Sequence, residues 1–217
     1  MKLPMKLYFS PLACSLASRI TFYEAGADIE YLYADTKTKR LEDGSDFLAI
    51  NPMGQVPTLE ADDGTLLTEN SAILQYVAEC LPAAQLAPTG GMARAQLQKW
   101  LGFIGTELHK AVYMPLLDPK APEAVKAYAR DKIPLRMDFL QKHLAGREFL
   151  LDRFSIADAY LTTILNWSAF VGLKLTPWPA VAAYYQRMLQ RPSVGRAVGE
   201  EFALYQKEQA HQSAVRQ

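Results

Sequence analysis

Cysteine is scarce in this chain of 217 residues, which contains only Cys14 and Cys80. The two lie far apart and match no C-x-x-C or Cys/His spacing, so the sequence offers neither a disulfide framework nor a metal site. Charge of one sign is not in excess, because 23 Lys and Arg balance 23 Asp and Glu. A nucleic-acid partner, which usually needs a basic patch or stripe, is therefore not predicted, and we expect a small ligand.

Long apolar runs are missing as well. No stretch of roughly 18 apolar residues occurs, so we predict neither a membrane-spanning helix nor a membrane partner. The N-terminal residues include early lysines, but Pro4, Tyr8, Ser10 and Pro11 interrupt any hydrophobic region of a signal peptide. We expect a cytoplasmic protein with reduced thiols.

The sequence does contain a clear change of pattern near residue 82. Before it, short β-type runs alternate with helical periodicity in the order β-α-β-α-β-β-α, and after it the periodicity is helical. Proline, glycine and alanine in PAAQLAPTGG (82–91) are typical of a linker. We predict an α/β domain over 1–82, a linker over 83–91 and an all-α domain over 92–217. The predicted strands are 5–9, 29–34, PTLEA and TLLT, and the predicted helices are 15–26, 71–81, 92–114, 122–144, 155–170, 178–190 and 193–204.

Cys14 in FSPLACSLASRI is a first candidate for chemistry. In a β-turn-α unit it falls in the first helical turn, where unpaired backbone N–H groups and the helix dipole stabilise a thiolate. A buried, inert cysteine fits the same position equally well. Cys80, on the apolar side of its helix, is expected in the core.

Two further stretches resemble places where a peptide-like ligand binds. In GQVPTL, Pro57 opens a strand; the sequence alone favours a trans Val56-Pro57 bond, whereas a cis bond would turn the backbone of Val56 outward. In TENSAIL, Glu69 and Asn70 precede an apolar helical face. Either Asn70 or Ser71 is a simple N-cap of the helix, or the segment is a site for an amino-acid head group, which needs an anion site beside a carboxylate such as that of Glu69.

The second domain offers fewer signals. His109 in ELHK has no metal-ligand spacing and, on a long amphipathic helix, is expected to be a polar surface or packing residue. Ser155 and Asp158 in FSIADAYL have the spacing of a capping box and a structural role. Tyr113, Met114 and Trp167 are apolar residues that either belong to the helical core or line a ligand site.

Four stretches in this order resemble the cytosolic glutathione S-transferases, most closely the bacterial beta class. They are MKLYFSPLACSLASRI, DFLAINPMGQVPTLEADDGTLLTENSAILQYVA, WLGFIGTELHKAVYMPL and FSIADAYL, and they span both domains. The resemblance implies a thioredoxin-like α/β domain that holds glutathione as co-substrate, with no metal. It also implies an all-α C-terminal domain that forms much of the hydrophobic acceptor site.

The function implied by the resemblance is a homodimeric glutathione transferase that conjugates glutathione to small hydrophobic electrophiles, with thiol-disulfide exchange through Cys14 as a side activity. A non-catalytic binding protein of the same fold and a dedicated glutathione-dependent disulfide oxidoreductase are the alternatives. Three departures from the family pattern, Phe9, Asn70 and Gly102, bear on glutathione binding. At Phe9, the beta class often carries a tyrosine, whose hydroxyl is therefore absent beside the sulfur.

The resemblance also implies roles for single residues. Cys14 and His109 are implied as catalytic, with Cys14 contacting the glutathione sulfur and forming a mixed disulfide. Pro57 matches the cis-proline of the family, so Val56 is expected to pair with the cysteinyl part of glutathione. The predicted glutathione-binding residues are Ser15, Lys39 (glycyl carboxylate), Gln55, Val56, Pro57, Glu69 and Asn70 (γ-glutamyl head), Thr106 and Lys110. The candidates for the acceptor site are Phe9, Tyr113, Met114 and Trp167.

Overall fold

The first part of the chain forms a five-stranded sheet with two helices. The computed structural model describes the backbone of residues 2–215 and the side chains of residues 4–210. The strands are β1 (Lys2–Phe9), β2 (Asp28–Asp35), β3 (Arg40–Leu41), β4 (Thr58–Glu60) and β5 (Leu66–Leu67), and the helices are α1 (Leu16–Glu24) and α2 (Asn70–Cys80). The predicted order of strands and helices is confirmed, except that a 3-10 turn (Phe47–Ala49) stands in place of the second predicted helix and that β3 is an addition.

The strands are arranged in the order β3-β2-β1-β4-β5. β1 pairs with β2 in parallel across the α1 crossover, and with β4 antiparallel. Side chains alternate between the two faces of β1. Leu7 packs with Phe22 of α1 and Ile73 of α2, whereas Tyr8 packs with Phe47 and Val56 on the other side. Because β4 runs antiparallel to β1, with Thr58 opposite Tyr8, the start of α1 and the segment before β4 lie at the same end of the sheet.

The second part of the chain is helical. It contains α3 (Gly91–Gly102), a π-helical segment (Phe103–Tyr113), α4 (Met114–Leu117), α5 (Glu123–Asp131), α6 (Ile133–Leu144), α7 (Ile156–Asn166) and α8 (Pro179–Leu189). The residues Ile156–Leu165 of α7 are all buried, so α7 is the central helix of this part. The predicted helix 122–144 is wrong in one respect, because it is divided into α5 and α6. Pro134, in the first turn of α6, has no N–H with which to continue a single helix.

The last helix, α9 (Pro192–Val215), packs against α1. One compact unit is formed by the segment up to Ala84 together with the segment from Arg191 onward, and the other by Gln85–Gln190. The structure thus differs from the predicted division, which placed the last helix in the helical domain. Polar contacts contribute to the attachment of α9. The side chain of Glu201 in α9 accepts the backbone N–H of Leu12 at 2.7 Å and lies 3.0 Å from the Nε of Arg19.

Candidate functional site

Cys14 lies in the turn that leads into α1. The carbonyl of Ser10 accepts the N–H of Ala13 at 3.1 Å, and the carbonyl of Cys14 accepts the N–H of Ala17 at 3.2 Å. These two bonds carry the chain from β1 directly into the helix, which begins at Leu16. Cys14 therefore lies in the turn two residues before the helix and not, as predicted, in its first helical turn, and the thiol is only partly buried.

The thiol of Cys14 meets the segment that precedes β4. Its Sγ donates to the carbonyl oxygen of Val56 at 3.0 Å, and the Val56-Pro57 bond is cis. The sequence alone favoured a trans bond, so the expectation from local energetics is wrong here and the one from the resemblance is confirmed. A thiol and a backbone carbonyl thus come together from residues 42 positions apart.

The loop before Val56 is fixed by residues that the sequence reasoning missed. The buried amide of Asn51 donates to the carbonyl of Gln55 at 2.9 Å and to the hydroxyl of Thr58 at 3.0 Å. Gly54 has a left-handed φ of 56°, and a Cβ there would lie 2.8 Å from the Cδ of Lys39. Lys39 can therefore lie along the loop and donate to the carbonyl of Gly54 at 2.8 Å. The Asn-x-x-Gly spacing ahead of Val-Pro is the signal that could have identified both residues.

The start of α2 reaches the same turn. Asn70 is buried, and its amide donates to the carbonyl of Cys14 at 3.2 Å while its Oδ1 accepts the hydroxyl of Ser18 at 3.4 Å. Glu69 is the N-cap of α2, yet its side chain makes no capping hydrogen bond and is exposed. The predicted N-cap at Asn70 or Ser71 is therefore wrong, because Glu69 occupies that position, and the Glu69 carboxylate extends toward solvent at the helix start.

Left-handed backbone is concentrated around these segments. Apart from Gln85, the non-glycine residues with positive φ in the described chain are Leu12 (58°), Lys39 (61°) and Glu69 (66°). Each such residue costs of order 1–3 kcal/mol unless the surroundings compensate, and such residues cluster at functional sites. Leu12 is two positions before Cys14, and Lys39 and Glu69 are predicted ligand contacts. The strain thus supports a functional site here independently of residue chemistry.

Two predicted site residues lie beneath this surface. Ser15 is fully buried, and its hydroxyl donates to the carbonyl of Ser10 at 3.3 Å, so the side chain closes the turn. Phe9 is 4% exposed, with the guanidinium of Arg19 over its ring at 4.3 Å and Tyr31 at its edge. The described contacts of both side chains are internal to the fold, and their predicted contacts with ligand stay predictions.

His109 lies in the helical unit, on the π-helical segment. Its ring is 5% exposed, and its Nδ1 is 2.7 Å from the hydroxyl of Tyr160 on α7. Burial, with a smaller contribution from the charge of Lys110, lowers the pKa of His109 from 6.5 to about 4. The imidazole is therefore neutral at neutral pH, and its predicted catalytic role stays a prediction.

The other predicted residues of this unit divide into exposed and buried ones. Thr106 and Lys110 are exposed on the same segment as His109, and Met114 at its end is 38% exposed. Tyr113 has no exposed surface and shares a 2.7 Å hydrogen bond with Ser168, so as an acceptor-site residue it is corrected to a core residue. Trp167 is 6% exposed and packs against the His109 ring at 5.0 Å.

The predicted capping box at the start of α7 is present. The carboxylate of Asp158 is fully buried and accepts both the N–H and the hydroxyl of Ser155 at 2.9 Å. Its other oxygen accepts the N–H of Leu150 and the hydroxyl of Tyr184, also at 2.9 Å. Burial raises the pKa of Asp158 from 3.8 to about 6, although all four donors oppose the shift.

Among the described side chains, those of residues 4–210, no group of three or more His, Cys, Asp or Glu has the arrangement to hold a metal ion. None of the helices in this described range combines the length and the hydropathy that a membrane span needs.

Comparison with known proteins gives a consistent result. A family model described as the N-terminal domain of glutathione S-transferase matches residues 3–79, and one described as its C-terminal domain matches residues 104–192. Glutathione S-transferase GstA of Escherichia coli O157:H7 is 45% identical over 199 residues, which are 91% of this chain and 98% of that protein.

Solved structures agree with the sequence relatives. The structure of a sphingomonad glutathione S-transferase complexed with glutathione has a TM-score of 0.86 and 44% identity, covering 90% of this chain and 98% of that one. A beta-class glutathione S-transferase of Sphingomonas chungbukensis has a TM-score of 0.86 and 42% identity, with the same coverage.

The sheet order, the cis-proline and the single thiol ahead of α1 define a thioredoxin-like protein with one cysteine at this position and an additional helical part. The matches to both domain models and the 45% identity over nearly the whole chain then decide the family. The chain belongs to the glutathione S-transferase family, whose enzymes use glutathione as co-substrate, and beta-class enzymes are among its structural neighbours.

Proposed function

We propose that this protein conjugates glutathione to small hydrophobic electrophiles and exchanges thiols with glutathione disulfides through Cys14. The observation that carries the proposal is the meeting of three segments at one thiol. Val56 contacts the Cys14 sulfur, Asn70 contacts the Cys14 carbonyl, and α1 begins two residues later. The helix start stabilises negative charge on a nearby sulfur. The comparisons favour a transferase over both a non-catalytic binding protein and a dedicated oxidoreductase.

The binding of glutathione is proposed along these segments. The backbone of Val56, after the cis-proline geometry, pairs with the cysteinyl part. The ammonium of Lys39, held at the carbonyl of Gly54, serves the glycyl carboxylate. Glu69 meets the ammonium of the γ-glutamyl head, whose carboxylate takes the N–H groups at the start of α2. The Asn70 side chain is already bonded to Cys14 and Ser18, so Asn70 contributes through its backbone.

Both proposed reactions balance without an external oxidant or reductant. In conjugation, the glutathione thiolate forms a C–S bond to the acceptor, and the leaving group departs with the electron pair of the broken bond. In exchange, the Cys14 thiolate attacks the glutathione sulfur of a mixed disulfide and releases the other thiol as its thiolate. A second glutathione thiolate then attacks the Cys14–glutathione disulfide, which frees Cys14 and yields glutathione disulfide.

The acceptor site, the oligomeric state, the location and further contacts with glutathione are also proposed. Met114, exposed at the end of the π-helical segment, and Trp167, beside His109, contribute to the site for the hydrophobic acceptor. The protein acts as a homodimer in the cytoplasm, as is typical of the family. Gln55, Thr106 and Lys110, all exposed, supply polar contacts to glutathione.

Calorimetric titration with glutathione tests binding. The titration extends to about 1 mM, because ordinary KM values reach about that concentration. Glu69→Gln is expected to weaken affinity about tenfold or more, since a hydrogen bond to a charged group contributes about 1.5–3 kcal/mol. Glu79→Gln, at the far end of α2 and also exposed, is the matched control and leaves affinity unchanged. Absence of binding to the wild type would defeat the proposal.

Cys14→Ala separates the two activities. After incubation with glutathione disulfide, mass spectrometry is expected to find the mixed disulfide on Cys14 in the wild type and in Cys80→Ser, and none at this position in Cys14→Ala. Cys80 is the exposed second thiol and therefore the matched control. Equal conjugation and exchange by Cys14→Ala and wild type would remove Cys14 from the mechanism.

A further inference from the structure

One buried contact in the helical unit, between His109 and Tyr160, lies outside the proposed contacts with glutathione. The Nδ1 of His109 and the hydroxyl of Tyr160 are 2.7 Å apart, with the two rings edge to face and their centroids 5.9 Å apart. Tyr160 is 3% exposed and lies in α7, whose start is fixed by the capping box. Trp167 closes a further side of the imidazole. The phenol therefore holds the imidazole from a rigid, central helix.

The direction of this hydrogen bond follows from acid–base chemistry. A neutral imidazole has one N–H and one acceptor nitrogen, and the partner of one nitrogen decides which nitrogen keeps the proton. Burial keeps His109 neutral, and Lys110 is the charged group that acts on it, whereas Glu107 of the same segment is paired with Arg136 of α6. Because a phenol is a stronger acid than a neutral imidazole, Tyr160 donates to Nδ1. The proton of His109 is then on Nε2.

The second nitrogen of His109 is accessible. Among the described residues, Nε2 has no hydrogen-bond partner, and it is not one of the fully buried polar atoms that lack one. The small exposed part of this residue, 5%, thus includes Nε2. An N–H that is oriented by a buried partner and surrounded by aromatic rings is a pre-organised donor, and such donors are strong in a water-poor site.

We propose that Tyr160 is a positioning residue, which fixes His109 as the Nε2–H tautomer and so makes it a neutral hydrogen-bond donor to the sulfur or the acceptor in the transferase reaction. The role of His109 in the reaction rests on the proposed function, whereas the assignment of its tautomer does not. Tyr160 itself does not contact the reacting atoms; it acts through His109, and its hydroxyl is the group that matters.

Nitrogen NMR of the full chain with ¹⁵N-labelled histidine rings tests the tautomer directly. His109 is assigned with the variant His109→Ala. In the wild type we expect a protonated Nε2, an unprotonated Nδ1 and no titration of His109 between pH 5.5 and 8. In Tyr160→Phe we expect averaged signals from both tautomers. Tyr185→Phe, which removes a phenol bonded to Asn166 in the same unit, is the matched control and leaves the His109 signals unchanged.

Steady-state kinetics with glutathione and a chromogenic electrophile test the consequence for the reaction. Tyr160→Phe is expected to lower kcat roughly tenfold. Complete loss of a single oriented donor lowers kcat by as much as about 10²–10³-fold, and a mixture of tautomers loses only part of that donor. The KM for glutathione stays within about twofold. In the His109→Ala background, Tyr160→Phe has less than a twofold further effect, since coupled residues are not additive.

The possible outcomes are distinguishable. A proton on Nδ1 in the wild type, or independent effects of the two substitutions on kcat, overturns the positioning role. A wild type that shows the Nε2–H tautomer but neither binds nor conjugates glutathione overturns the proposed function and leaves the assignment of Tyr160 and His109 intact. A fall in kcat of equal size in Tyr185→Phe shows a merely structural effect and also overturns the positioning role.

Discussion

Replacement of Asp158 by alanine is expected to destabilise the helical unit strongly without a direct effect on the chemistry. Alanine removes the acceptor of four donors, two buried backbone N–H groups of Leu150 and Ser155 and two hydroxyls of Ser155 and Tyr184. A buried donor without a partner costs about 1–3 kcal/mol, and an ordinary lost hydrogen bond about 1 kcal/mol. The four losses together amount to about 4–8 kcal/mol.

Relief of a buried charge offsets part of this loss. Burial raises the pKa of Asp158 from 3.8 to about 6. One pKa unit corresponds to about 1.4 kcal/mol, so ionised Asp158 already costs the folded state about 3 kcal/mol at pH 7. The net loss for Asp158→Ala is therefore about 1–5 kcal/mol. With a slope of about 1–3 kcal/mol per molar urea, the urea midpoint falls by about 0.3 M or more.

Urea unfolding followed by circular dichroism and tryptophan fluorescence measures this loss. Asp152→Ala is the matched control, because Asp152 is exposed in the same connection before α7. The control is expected within about 0.5 kcal/mol of the wild type, as for ordinary surface substitutions. Equal midpoints for Asp158→Ala and Asp152→Ala would refute the importance of the four contacts.

The pH dependence provides a second, independent check of the same reasoning. Because the folded-state pKa is raised, the native protein retains a proton between about pH 4 and 6 that the unfolded chain has lost. Wild-type stability therefore falls as pH rises through this window, relative to Asp158→Asn, which cannot titrate. The destabilisation by Asp158→Asn should be larger at pH 4 than at pH 7. A larger effect at pH 7 would mean that the four donors outweigh desolvation, contrary to the direction of the shift.

Two further predictions concern the first unit. Gly54→Ala should weaken glutathione affinity severalfold in calorimetry by displacing the Lys39 side chain. Gly64 is also left-handed, at φ 81°, but has no atom within 4 Å of an added Cβ, so Gly64→Ala should leave affinity unchanged. Equal losses in the two variants would contradict the role of the Lys39 contact. Burial raises the pKa of Glu201 from 4.5 to about 8, so the free energy of unfolding should decrease from pH 5 to 8 relative to Glu201→Gln; parallel urea midpoints across this range would argue against a raised pKa.

Much of the first unit could be predicted because its signals are local. The alternation of Leu7 and Tyr8 gave a strand, and the change from strand to helical periodicity placed Cys14 close to the start of α1. The break between α5 and α6 was equally local, since Pro134 is visible in the sequence, but continuous helical periodicity on both sides concealed it. The capping box of Ser155 and Asp158 was predicted because both partners lie within one turn.

The features that could not be predicted depend on distant residues. The cis Val56-Pro57 bond goes against local preference and is selected by the fold around it. The partner of His109 is 51 residues away on α7, and periodicity alone cannot choose among the polar residues of that helix. The attachment of α9 to α1 likewise depends on Glu201 and Leu12, which are separated by 189 positions. The family resemblance supplied the cis-proline, but not the burial of Tyr113 or the neutral state of His109.

The bond between Glu201 and Leu12 has a consequence for the time at which the thiol site is completed in the cell. Ribosomes add about 5–20 residues per second, so α9 leaves the ribosome roughly 10–40 seconds after the turn that contains Cys14. Until then, the N–H of Leu12 lacks its carboxylate acceptor and Arg19 lacks its partners on α9. The nascent chain therefore carries a β-α-β segment in which the turn before Cys14 lacks one of its hydrogen bonds until the last helix has been synthesised.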